Sequence, residues 1–170
     1  VIATITADGT RTTFEYDDAD RITKATDVFG NIREYTYDRN SNLTSSKAED
    51  GTVQTTVYDA MGRAVKTIDE AGRVTEITYN SMGKQEKIVS PNGGVIRYEY
   101  DPLMRLSKVT DPEGRCAGYD YDPNGNVIAE YIGDVKVKSY EVDALDHVIL
   151  ERDAKGRETG TMINVYKDVI

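Results

Sequence analysis

Tyr98-Glu99-Tyr100-Asp101-Pro102-Leu103-Met104-Arg105-Leu106-Ser107-Lys108-Val109-Thr110-Asp111-Pro112-Glu113-Gly114-Arg115 is the stretch that decides the fold. It holds two turn signals, Asp101 to Arg105 and Asp111 to Arg115. In such turns an Asp accepts backbone N–H groups, Pro fixes φ and Gly supplies positive φ. The intervening segments have strand length, about six residues, not helix length. Outward from this stretch, a Tyr followed by Asp or Asn recurs every 21 positions. The pairs are Tyr16-Asp17, Tyr37-Asp38, Tyr58-Asp59, Tyr79-Asn80, Tyr100-Asp101 and Tyr121-Asp122. The count continues to Val142-Asp143 and Ile163-Asn164, where the ring is lost. Glycine keeps the same beat at Gly9, Gly30, Gly51, Gly72, Gly93, Gly114 and Gly156, and Val135 breaks it with Gly133 nearby. Residues 1–170 therefore read as one array of about eight 21-residue units, the last incomplete.

Aligned at 21, the units resolve into columns. Phe14, Tyr35, Thr56, Ile77, Tyr98, Tyr119 and Tyr140 lie two positions before the anchor and share its face of a strand. The columns between are polar. Ile32, Val53, Val74, Val95 and Cys116 form an apolar column of opposite parity, so neither face is wholly polar or dry. On the return strand, Ile22, Leu43, Leu106, Val127 and Val148 mark the start, while Ile88 and Val109 lie three residues after it. A three-residue step does not keep one face in a regular strand, so a bulge or bend is expected there. The expected fold is all-β: tandem hairpins forming a curved, one-layer antiparallel sheet. Such a sheet cannot bury a face as a sandwich does, and this accounts for 12 Tyr against 2 Phe and no Trp. Tyr stacks across strands and keeps a hydroxyl for water or a polar partner.

The consensus G-x-x-x-x-x-Y-x-Y-D-x-x-G-R-L-x-x-V-x-D-x-x-G resembles the YD repeat of the Rhs family. Arg33-Glu34-Tyr35-Thr36-Tyr37-Asp38, Tyr98 to Leu106 and Tyr119-Asp120-Tyr121-Asp122-Pro123-Asn124-Gly125-Asn126 carry it. That family includes bacterial Rhs polymorphic toxins, YD-repeat wall-associated proteins, shell subunits of insecticidal toxin complexes and teneurins. The resemblance implies a β-sheet strip that spirals into a hollow shell able to enclose a toxin domain. It also implies a bacterial, secreted or cell-surface protein. Family members carry a self-cleaving aspartate in a D-P-x-G-L context. Here Asp122-Pro123-Asn124-Gly125-Asn126 and Asp111-Pro112-Glu113-Gly114-Arg115 end differently and sit in ordinary repeat turns, so no cleavage is assigned to them.

Composition narrows the function further. The formal net charge is −9, which argues against general nucleic-acid binding, and no apolar run is long enough to span a bilayer. One Cys and one His exclude a disulfide framework and the usual structural zinc site. His147 reads as a solvated turn residue, Cys116 as a small hydrophobe, and the acidic run Asp17-Asp18-Ala19-Asp20 as turn chemistry without a calcium-loop pattern. Asn42-Leu43-Thr44 is a chance-level glycosylation sequon, and Lys24, Lys66, Lys87 and Lys108 read as a solvated strand face. The chain opens at Val1 without Met, as expected of a piece of something longer.

The leading expectation is a non-catalytic structural module without cofactor or metal. Tyr16, Asp17, Tyr37, Asp38, Tyr58, Asp59, Tyr79, Asn80, Tyr100, Asp101, Tyr121 and Asp122 are its repeat anchors. Its expected partners are other repeats of the parent chain and an enclosed effector domain, with no membrane insertion. The alternative is a carbohydrate-binding or adhesive cell-surface repeat, with Tyr98, Tyr100, Tyr119 and Tyr121 as a platform for glycans.

Overall fold

A computed structural model describes residues 2–5 and 11–160. Gly9, Ile163 and Asn164 of the sequence periodicity lie outside them. The chain divides into two compact units, residues 1–78 with 89–93 and residues 79–88 with 94–170. The first holds β1 (Ile2–Ile5), β2 (Arg11–Tyr16), β3 (Ile22–Thr26), β4 (Ile32–Tyr37), β5 (Leu43–Ala48), β6 (Val53–Tyr58), β7 (Ala64–Ile68) and β8 (Val74–Tyr79, its last residue excepted). The second holds β9 (Gln85–Val89, its last residue excepted), β10 (Val95–Tyr100), β11 (Leu106–Thr110), β12 (Cys116–Tyr121), β13 (Val127–Ile132), β14 (Val135–Val142), β15 (Val148–Asp153) and β16 (Glu158–Gly160). Within each unit every strand lies beside its sequence neighbour in an antiparallel sheet, and the described residues contain no helix.

The turns follow from the residues that open them. In the first Tyr–Asp hairpin, Asp17 N donates to Arg21 O (3.0 Å) and Asp20 N to Asp17 O (3.1 Å). The Asp27 turn repeats this with Asn31 and Gly30. This is a three-residue loop whose last residue takes positive φ. Gly30, Gly72 and Gly114 supply that residue in some turns, and Asp20, Ser41, Met104 and Asp146 in others, at φ of 57 to 67°. One turn differs. Ile132 pairs directly with Val135 around Gly133 (φ 59°), a two-residue loop of the kind that demands Gly first. It is the physical form of the missing glycine at Val135. A shift between Glu130 and Tyr131 follows it, and Ala129↔Ser139 then restores the register seen one period earlier at Lys108↔Gly118.

The bulge expected from the three-residue step recurs in unit after unit. Glu15 faces Lys24 while Tyr16 faces Ile22, leaving Thr23 as the extra residue. The same slip occurs at Thr36/Tyr37, Val57/Tyr58, Glu99/Tyr100 and Asp120/Tyr121. It lets Leu106 and Val109 share one face with Tyr100 and Tyr98, although they stand three apart. The Tyr face is half-buried along Phe14, Ala25, Tyr35, Thr56 and Thr67 of the first unit. The opposite face carries Glu15, Lys24 and Glu34 in neighbouring positions, with Lys24 Nζ 3.9 Å from Glu15 and Lys47 Nζ 3.7 Å from Glu34. Among the described residues only Ala129 and Ser46 are buried, so the sheet has no core in the usual sense.

Backbone strain separates the turns. Gly114 (φ +82°) has open space where a Cβ would stand, so only its backbone resists a side chain, whereas Met104 already bears one at φ 61°. Gly114→Ala is expected to lower stability by about 1 kcal/mol and Met104→Gly to raise it by up to about 1 kcal/mol. Urea unfolding of the two variants checks both signs.

Candidate functional site

The repeated residues meet along the edge that carries the Tyr–Asp turns. Pairing between successive hairpins is short: β3 and β4 join only at Lys24↔Glu34, Ala25↔Arg33 and Thr26↔Ile32. Toward the Tyr–Asp end this ladder stops, and Tyr37 Oη donates to Ile22 O there (2.8 Å). Tyr58 Oη donates likewise to Leu43 O (3.0 Å), Tyr100 Oη to Gln85 O (2.8 Å) and Tyr121 Oη to Leu106 O (2.8 Å). Each bond reaches back 15 residues, to the first residue of the preceding return strand, just before the bulge. A carbonyl left beyond the backbone ladder thus receives a phenol, a bond of about 1 kcal/mol net.

The Asp after each Tyr organises the turn. Asp17 Oδ1 accepts from Ala19 N and Arg21 N, and its Oδ2 accepts from Arg21 Nε (2.8 Å). Asp38 and Asp59 repeat this with Asn42 and Arg63. Asn80 does so without charge, its Oδ1 accepting from Met82 N and Lys84 N. Two of the Arg residues at the fourth position, Arg21 and Arg105, also reach the next hairpin. Arg21 Nη1 donates to Asp38 O (3.0 Å) and its guanidinium lies 4.8 Å from the Tyr37 ring centroid. Arg105 Nη1 donates to Asp122 O (2.7 Å), with Tyr121 at 4.6 Å. In the other turn type, Arg73, Arg115 and Arg157 make the same Asp pair but remain 68 to 77% exposed, against 25 to 26% for Arg21 and Arg105. The ring of the next tyrosine gives the Arg its platform.

A family model described as RHS Repeat matches residues 1–32, 37–74 and 79–115, well over half of the chain. The chain belongs to the RHS repeat family. No curated protein matches it. Among solved structures it is similar to a TcdB2-TccC3 complex, at 23% identity and a TM-score of 0.46 over 84% of this chain. The Tc holotoxin pore of Photorhabdus luminescens gives 22% identity and 0.48 over 87%. A porin-like protein from Bacteroides uniformis gives 14% identity and 0.41 over 92% of this chain and 91% of that one. The chain spans 7% of the length of each of the first two.

The RHS repeats change character after Tyr121. Val142 has no hydroxyl for Val127 O, and Tyr140 Oη donates instead to Glu130 Oε1 (2.7 Å) while Tyr131 Oη donates to Asp120 Oδ2 (2.6 Å). Asn126 replaces the bridging Arg and donates to Asp146 Oδ1 (2.7 Å). The tight Gly133 turn compensates: β13 and β14 pair at four positions, one more than β3 with β4.

Tyr98 and Tyr100 lie together on β10, and Tyr119 and Tyr121 on β12, all half-buried, with the Tyr100 and Tyr121 hydroxyls already committed to carbonyls. His147 sits in an exposed turn, its Nδ1 3.3 Å from Asp143 Oδ2. Cys116 lies half-buried on the face opposite the tyrosines. Asn42, the sequon residue, engages its side-chain nitrogen with Asp38 Oδ2 (2.9 Å). The Arg bridge to the following turn is a feature sequence reasoning missed. Its signal is an Arg four positions after Asp with a Tyr sixteen further on, as in Arg21 and Tyr37.

Side-chain hydrogen bonds from Arg21, Asn42, Arg63 and Asn126 hold the carboxyls of Asp17, Asp38, Asp59 and Asp122 below the usual range. A carboxyl depressed in the folded state contributes stability above its unfolded pKa and loses that contribution as pH falls through its folded value. Stability is therefore expected to drop below about pH 4. An Asp17→Asn, Asp38→Asn, Asp122→Asn variant, copying the uncharged Asn80 turn, should flatten the profile. Urea midpoints between pH 2 and 7 check this, and an unchanged profile would contradict it.

Proposed function

We propose that this chain is a non-catalytic wall segment of a larger secreted or surface-delivered protein, and that the wall encloses or presents an effector domain. The observation that carries the reading is where the repeated polar groups go. Tyr hydroxyls, Asp carboxylates and Arg guanidinia of the Tyr–Asp edge bind one another and the backbone, and so hold one hairpin to the next. An enzyme site needs side chains that converge on a substrate with groups to spare. A cleft of about 750 Å³ in the first unit is lined by Asp27, Asn31, Arg33, Tyr35 and Glu49 among others. Asp27 is committed to its own turn, and Arg33 to Ser46 Oγ at 3.1 Å. The mechanism is steric: a hydrated sheet, extended by nearest-neighbour contacts, keeps cargo apart from its surroundings. Membership in the RHS repeat family supports this reading. Residues 1–170 act in it as one array, with the Tyr–Asp anchors as its fastening. A glycan platform gains nothing from the geometry, because two of its four hydroxyls are already bonded.

The test uses the native polypeptide that carries this segment. Its effector domain is expected to resist trypsin under conditions that digest the same domain produced alone. Equal digestion of the two would overturn enclosure.

A further inference from the structure

One pair of successive Tyr–Asp turns, both in the second unit, is joined differently from the pair before it. Between the turns at Asp101 and Asp122, Arg105 Nη1 donates to Asp122 O, and Tyr121 Oη donates to Leu106 O nearby. One period on, Asn126 stands in the place of the Arg and Val142 in the place of the Tyr. The turn at Asp122 is tied to the turn at Asp143 through side-chain amides instead. Asn124 Nδ2 and Asn126 Nδ2 both donate to Asp146 Oδ1, at 3.0 and 2.7 Å.

Asn124 also precedes a glycine. In an Asn-Gly pair no side chain shields the glycine nitrogen from the Asn side-chain carbonyl carbon. Asn124 and Gly125 are both exposed, and nothing beyond the chain neighbours lies within 4 Å of where a Gly125 Cβ would stand. Gly125 N donates to Asp122 O at 3.2 Å, whereas the equivalent bonds of the other described Tyr–Asp turns measure 2.9 to 3.1 Å. The turns at Asp59 and Asn80 also place Gly there, but Met61 and Met82 precede it and have no side-chain carbonyl.

We propose that Asn124 is a self-modification site whose conversion unfastens the Asp122 turn from the Asp143 turn. Gly125 N gives its proton to solvent and bonds to Asn124 Cγ. The Cγ–Nδ2 bond breaks, and Nδ2 leaves as ammonia with a proton from water. One water then opens the cyclic imide at either carbonyl, to aspartate or isoaspartate. The net reaction consumes one water, releases one ammonia and transfers no electrons. The product sets a carboxylate where the Nδ2 donor stood, so Asp146 faces a like charge instead of a hydrogen bond. On the isoaspartate route the backbone also gains a carbon within a loop whose turn type depends on its length. This goes beyond the enclosing-wall reading, since it concerns the chemistry of one turn and stands or falls independently of trypsin protection.

The test is peptide mapping of the 170-residue chain after warm incubation at mildly alkaline pH in isotopically labelled water. Asn124 is expected to convert to aspartate and isoaspartate carrying one labelled oxygen, several-fold faster than Asn40 and Asn126, which no glycine follows. Two variants separate charge from the lost donor. Asn124→Asp makes the product directly, and Asn124→Ala removes the donor without adding charge. With circular dichroism unchanged in both, amides of residues 143–147 should exchange hydrogen several-fold faster in Asn124→Asp than in Asn124→Ala. High salt should narrow that gap by screening the two carboxylates. Conversion of Asn124 no faster than that of Asn40 and Asn126 would overturn the proposal, as would equal exchange in the two variants.

Discussion

Hairpins in this sheet meet through a short backbone ladder, and at four junctions a tyrosine hydroxyl bonds a carbonyl where that ladder stops. The constraint begins with the bulge. One extra residue in the return strand, Thr23 opposite the Glu15/Tyr16 step, shifts the register and sets Ile22 beside the tyrosines. The carbonyl of Ile22 then lies past the last backbone pair with β4, where Tyr37 meets it. Phe offers the same ring without the donor, and Leu offers neither. The chain can therefore hold together a sheet in which, among the described residues, almost nothing is buried, because each rung adds a directional bond at the place where packing contributes least.

The turns supply the second layer of the same logic. An Asp that accepts two backbone N–H groups fixes the loop, and the Arg four residues on both neutralises it and reaches forward. Isolated exposed ion pairs are worth little. Here the Arg is stacked on the next tyrosine and bonded to the next turn's carbonyl, so one side chain links two hairpins. Where this relay lapses, after Tyr121, the structure does not merely weaken. The two-residue Gly133 turn lengthens the backbone ladder between β13 and β14, and Tyr140 and Tyr131 turn to carboxylates. The two devices substitute for one another at opposite ends of the same junction.

Much of this was legible in the residues themselves. The 21-residue beat and the hairpins follow from spacing and parity, and the three-residue step between Leu106 and Val109 pointed to a bulge or a bend, of which the structure shows the bulge. The missing glycine at Val135 marked the irregular turn, but not the second shift at Glu130/Tyr131 that restores register. The tyrosines were recognisable as a periodic column, yet the acceptors of their hydroxyls were not. A bond reaching back 15 residues depends on where pairing between hairpins ends, and that is set by strand geometry, not by any local pattern. The Arg bridge was hidden for the same reason, as was the division into two compact units.

The claim at the centre is that phenol rungs, not ring burial, secure the junctions. The most direct measurement is native-state hydrogen exchange of a variant in which Tyr37, Tyr58, Tyr100 and Tyr121 are all Phe. Ring area is preserved and only the four hydroxyls are lost. The account predicts faster exchange at the amides of β4, β6, β10 and β12 and a stability loss of about 3 to 5 kcal/mol in urea, roughly 1 kcal/mol for each bond. Stability within about 0.5 kcal/mol of the parent, with exchange unchanged at those strands, would contradict it.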